Sequence, residues 1–183
     1  MTLTDAFGFP VLATSALTQA IGFLYRRAEV VLDRRAARRN VDEERPPEVV
    51  PAVVAGDPGN PLDFELERLT AERAERLDSL VELLGLYAEN EQLIDGQDER
   101  LRRNLGRLRA VLEDVYGRRI TFVGEERPAS GVRVVARAGD VHGKATGFRG
   151  GRVSRLANVE VEHDVEVVHP GGEATGAVID NLL

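Results

Sequence analysis

Three histidines are the residues of this chain best suited to chemistry. His142, His163 and His169 each have a carboxylate nearby in sequence, among Asp140, Glu162 and Asp164. Imidazole together with carboxylate is a donor set for transition metals. The spacing, however, follows no familiar ligand pattern. In an extended segment neighbouring residues point to opposite faces, so Glu162 and His163 diverge. His163 then reads as a packed or interface histidine, and no metal is expected. Gly143-Lys144 matches the last glycine and the lysine of a phosphate-binding loop. That loop needs a glycine five residues earlier and a hydroxyl directly after, where this chain has Ala138 and Ala145. Neither G-x-S-x-G nor H-E-x-x-H is present. The acidic side chains of the helical stretches are interspersed with arginines as solvated pairs, and none is marked as a general acid or base. The expectation is a protein with no catalytic residue, no metal and no cofactor.

Composition sets wider bounds. The chain has 183 residues, enough for one ordinary domain or two small ones, and no cysteine for a disulfide, a thiolate or a cysteine-ligated metal. That suits a cytoplasmic protein. A formal charge of −7 disfavours general nucleic-acid binding, which needs a concentrated positive surface. Tryptophan is absent and aromatics are sparse, so a core must come from Leu, Val, Ile and Ala. The N-terminus lacks the basic stretch and cleavage site of a signal peptide.

The elements that would carry any function fall into four stretches. Residues 1–39 contain Ala13, Leu17, Ile21, Leu24, Ala28 and Val31 at steps of four or three, the pattern of an amphipathic docking helix. No charge interrupts residues 6–25, so a membrane span or a surface-lying helix are the competing readings, although Thr14, Ser15, Thr18 and Gln19 break the apolar run. Arg34, Arg35, Arg38 and Arg39 close the stretch and complement the negative end of a helix dipole. Residues 40–63 are a proline-rich linker containing Pro46, Pro47, Pro51, Pro58 and Pro61 and the charge run Asp42–Arg45. It reads mainly as an extended tether, with Val49, Val50, Val53 and Val54 able to dock as a short extended segment.

Residues 64–116 carry a 3,4 heptad seam: Leu66, Leu77, Leu80, Leu84, Tyr87, Ile94, Leu101, Leu105, Leu108, Leu112 and Val115. Glu91 and Asp98 interrupt it, and Gly96 with Asp98 could end one helix and cap the next. Two structures fit, a helix of about 50 residues and roughly 75 Å, or a hairpin. The preserved heptad phase favours the long helix pairing with another chain.

Residues 117–183 hold eleven of the 18 glycines and switch to a period of two, as a small Gly-rich all-β module. Ile120–Val123 is a short strand. Val132, Val134, Ala136 and Ala138 share one face of another. In the clearest strand, Val159, Val161, His163, Val165 and Val167 oppose Glu160, Glu162, Asp164 and Glu166. Those acids could pair across strands with Arg133, Arg137, Arg152 or Arg155. Gly143–Gly147 and Gly172–Gly176 share the pattern G-x-A-T-G, which suits either an antiparallel sheet, the commoner arrangement, or a small β-solenoid. Gly139–Gly143 followed by Gly150–Val153 resembles the short glycine-rich amyloid-signalling motifs of bacterial conflict systems, over about 15 residues. That resemblance implies templated β-stacking between a receptor and an effector.

The expected class is therefore α+β: an amphipathic helix, a linker, a long coiled-coil helix or helical hairpin, and a β module. The expected function is non-enzymatic assembly, with self-association through the seam and at least one other protein partner. A membrane-linked adaptor of a signalling or conflict system, attached through residues 6–25, is the alternative. No nucleic acid is expected.

Overall fold

The fold is built on the helix that the 3,4 spacing marks. The computed structural model describes residues 8–36, 48–150 and 159–180, and α1 runs over Thr14–Ala36. Leu17, Ile21, Leu24, Ala28 and Val31 are all buried, whereas Ala13 precedes the helix and is exposed. Arg34 and Arg35 lie in the last turn, where the dipole favours them. The apolar face of α1 lies on two further helices, and no helix among the described residues is long and apolar enough to cross a membrane. Residues 6 and 7, Arg38, Arg39, Asp42–Arg45, Pro46, Pro47, Arg152 and Arg155 fall outside the described residues.

The long continuous helix does not form. The hairpin reading fits instead: α2 covers Ala71–Glu89, a one-turn 3-10 helix covers Glu91–Leu93, and α3 covers Glu99–Tyr116. The cause is local competition for backbone donors. Asn90 Oδ1 accepts from Gln92 N, Asp95 Oδ1 from Gln97 N at 2.8 Å, and Asp98 Oδ1 from both Arg100 N and Leu101 N. Asp98 thus caps α3, and Gly117 ends that helix at φ 60°. Asp98→Ala is expected to cost about 1 kcal/mol, seen as a lower urea midpoint at unchanged slope.

The three helices enclose one core. Leu77, Leu80 and Leu84 of α2 and Leu101, Leu105, Leu108, Leu112 and Val115 of α3 are buried together with the apolar face of α1. Ile94 is buried and Tyr87 half-buried, while Leu66 stays exposed in a one-turn 3-10 helix over Leu66–Arg68. Arg27 is fully buried as well, paired with Glu48 at 2.7 Å. It also donates to the carbonyls of Pro58 and Gly59 and sits over the rings of Phe23 and Tyr116. Burial holds the Tyr116 hydroxyl far above its usual pKa, with nearby Arg27 opposing the shift. The phenol therefore stays a donor to Pro61 O at 2.8 Å.

The linker is more than a tether. Val53 and Val54 are buried, whereas Val49 and Val50 remain exposed. Strand β1, Val54–Ala55, pairs antiparallel with β3, Thr121–Phe122, which follows β2 at Arg118–Arg119. Ile120 and Phe122 are fully buried, and Phe9 packs on Phe122 with ring centroids 5.1 Å apart. Glu113 on α3 accepts from Ile120 N at 2.9 Å and Arg127 Nη2 at 2.9 Å, tying this corner to the helices.

The remaining strands are long. They are β4 (Gly131–Val141), β5 (Lys144–Gly150), β6 (Val159–Val168) and β7 (Glu173–Ile179). The simple antiparallel sheet expected here is not what they make. β2 pairs antiparallel with the first two residues of β4, but β4 pairs with β6, and β5 with β7, in parallel. His142-Gly143 turns the chain from one sheet into the other, so β4 and β5 form an arch whose strands face each other without sharing a ladder. β6 and β7 repeat the arch, and the second stacks on the first as a two-rung solenoid.

Candidate interaction site: the stacked arches

The two arches match strand for strand. Val132 lies opposite Val159 and Val141 opposite Val168, a constant offset of 27 (159 − 132). Lys144 lies opposite Glu173, Ala145 opposite Ala174 and Thr146 opposite Thr175, an offset of 29 (173 − 144). The difference of two comes from the turns: two residues in the first arch (142–143) and four in the second (169–172). Gly172 N donates to His169 O at 2.8 Å and Glu173 N to Gly143 O at 2.7 Å, which closes the longer turn back into register. The repeated G-x-A-T-G is therefore the mark of the stack. The sequence alone shows the echo but not the two-residue insertion that hides its continuation to the histidines.

Small residues let the arches close. A Cβ on Gly147 would lie 2.8 Å from Gly176 O and 3.3 Å from both His163 Cγ and Val161 Cγ1. Val161, His163 and Val165 are half-buried, the first two lying against Gly147 of β5, while Glu162, Asp164 and Glu166 are exposed. His163 is thus a packing residue of the arch interior.

Charge divides the rungs. Strands β4 and β5 hold Arg133, Arg137, Lys144 and Arg149 against Asp140 alone, four positive and one negative. Strands β6 and β7 hold Glu160, Glu162, Asp164, Glu166 and Glu173, five negative and no lysine or arginine. Register sets Arg133 opposite Glu160 and Arg137 opposite Asp164. Lys144 Nζ reaches Glu173 Oε2 at 2.9 Å, and that hydrogen bond raises the Lys144 pKa. Among the described residues, the outer edge of β6 and both outer edges of the β5–β7 pair carry no strand, and β4 is covered only at Gly131 and Val132.

Two of the other candidate surfaces are accounted for inside the molecule. The docking face of α1 and the leucine seam of α2 and α3 cover one another, apart from Ala13 and Leu66. An open groove of about 1020 Å³ runs between α1 and the 48–62 segment. Among the described residues its walls include Arg26, Glu29, Asp33 and Glu48 but no histidine, serine, threonine or lysine.

Fold and site together define an α+β protein, a three-helix body bearing a two-rung stack of β-arches. No family model, no curated protein and no solved structure matches this chain.

Proposed function

We propose that the protein is a non-enzymatic assembly protein that self-associates through its arch stack. The supporting observation is the in-register parallel pairing of Lys144–Thr146 with Glu173–Thr175. A chain that stacks one of its arches on another in this way presents edges suited to a further copy of the same arch. The acidic second rung of one molecule meets the basic first rung of the next, in the register that sets Arg133 opposite Glu160 within the chain. Such a contact is head-to-tail, and it propagates unless the geometry closes it. The leucine seam plays no part in this scheme, because α1 covers it.

Light scattering of full-length protein over a concentration series tests the proposal. The expected result is a mass that grows with concentration and falls as salt rises, since 1 M salt shortens the screening length to about 3 Å. A monomeric mass at every concentration would overturn self-stacking. An oligomer indifferent to salt would overturn the charge-matched edge and point to another surface.

A further inference from the structure

We propose that Asp140, His142 and His169 form a binding site for a divalent transition metal, best represented by Zn²⁺, which links the turns of the two arches. One ligand atom from each of the three lies within 4.8 Å of the others. The register explains why they meet. His142 and His169 each follow the last residue of the first strand in their arch, so the rung offset of 27 sets one directly above the other. Their rings stack with centroids 4.0 Å apart and planes 9° from parallel.

Two details favour a metal over simple ring stacking. His169 Nε2 is shielded from solvent and has no hydrogen-bond partner, an arrangement that costs stability unless something meets the nitrogen. It also lies 3.7 Å from Asp140 Oδ1, too far for a hydrogen bond. That gap suits a bridging ion, because donors 2.0–2.1 Å from tetrahedral zinc sit about 3.3 Å apart. Closing the cluster onto one ion asks for atom shifts of about 1.5 Å or less, and for the two imidazoles to tilt out of their parallel stack so that their in-plane lone pairs converge. The Asp140 and His169 side chains retain 62% and 37% exposure, which leaves room for that rearrangement. Two imidazoles and one carboxylate match the donor preference of Zn²⁺ over Mg²⁺ or Ca²⁺, with water completing the shell.

The consequence is a staple. Asp140 and His142 belong to the first arch and His169 to the second, so the ion crosses between rungs at their shared corner. Because the unfolded chain does not hold the three donors together, binding stabilises the stacked arrangement. It does so within one molecule and does not depend on stacking between copies.

Calorimetric titration of full-length protein with ZnCl₂, in high salt to keep it dispersed, is the test. One ion per chain is expected, with affinity reduced at least tenfold in His142→Gln, His169→Gln and Asp140→Asn. His163→Gln should bind as the parent does, since His163 faces the arch interior. Histidine ring resonances give a second readout that needs no variant: those of His142 and His169 should move on zinc addition while His163 stays. Absence of binding by the parent protein, or loss through His163→Gln equal to that through His169→Gln, would overturn the site. Failure here leaves self-stacking untouched, because the mass measurement needs no metal.

Discussion

Leu108→Asp is expected to unfold the helical body, not to split an oligomer into folded monomers. Leu108 is fully buried in α3, within the core shared by all three helices. Truncating such a leucine costs roughly 2–5 kcal/mol from lost burial and the cavity left behind. A carboxylate with no partner there adds several kcal/mol more, or takes up a proton to avoid the charge. The total rivals the roughly 5–15 kcal/mol that stabilises a domain. The checking measurement is the helical circular-dichroism signal during thermal melting, alongside solution mass. Loss of the cooperative helical transition is the expected outcome. A folded monomer with an unchanged melt would mean that the seam faces a second chain and that the α1 packing is wrong. Leu80, at 7% exposure, sits nearer the core margin, so Leu80→Asp should be milder in the same assay.

That experiment turns on what the sequence could and could not specify. Both apolar faces were legible, because 3,4 spacing fixes which side chains share a side of a helix. Their partner was not. Two complementary faces on one chain satisfy each other as readily as they satisfy a second copy. Heptad phase, which favoured one long helix, pointed the wrong way. The break rests on Asn90, Asp95 and Asp98 engaging nearby backbone amides, a local competition that leaves the spacing of the leucines intact.

Buried charge was the least legible feature. Arg26 and Arg27 are adjacent and chemically identical in sequence, yet Arg26 is exposed and Arg27 wholly enclosed. The partners that make enclosure tolerable come from Glu48, Pro58 and Gly59, in the stretch that reads as a tether. Arg109 repeats the pattern, with Glu125 at 2.6 Å and the carbonyl of Gly8, across 101 residues of chain in the latter case. Such pairs depend on tertiary convergence, and no local pattern announces them. They also give the proline-rich segment its place: it supplies the acceptors that seal one side of α1.

In the β module, alternation gave the faces of β6 over Val161–Glu166, with Glu162, Asp164 and Glu166 exposed, but Val167, expected on the apolar face, is exposed as well. Strand direction was open, because period two is the same in parallel and antiparallel ladders. The repeated G-x-A-T-G contained the answer, since equal segments align in register only when they run the same way. The histidine pair escaped notice for a related reason. Pro170-Gly171 lengthens the second turn and shifts His169 out of the echo that begins at Gly172.

Gly147→Val is expected to abolish the arch stack while leaving the three-helix body folded. The Cβ alone would sit 2.8 Å from Gly176 O, a backbone atom that cannot swing away as a flexible side chain would. The added methyls would press on His163 and Val161, 3.3 Å from that Cβ. Overpacking of this kind costs about 1–3 kcal/mol in a large core, and here it falls on two thin sheets with little else to hold them. The helices do not share the strain, because α1, α2 and α3 enclose their own core with Ile120 and Phe122. Hydrogen exchange separates the two parts by residue. Amides of β4–β7 should lose protection, those of α1–α3 should keep it, and the solution mass should fall to that of a monomer. Gly143→Ala is the matched control: nothing lies within 4 Å of its added carbon, so protection and mass should stay as in the parent. Retained protection in β6 with Val at 147 would show that the arches do not close on that glycine. Retained oligomerisation after β4–β7 lose protection would place self-association elsewhere on the molecule.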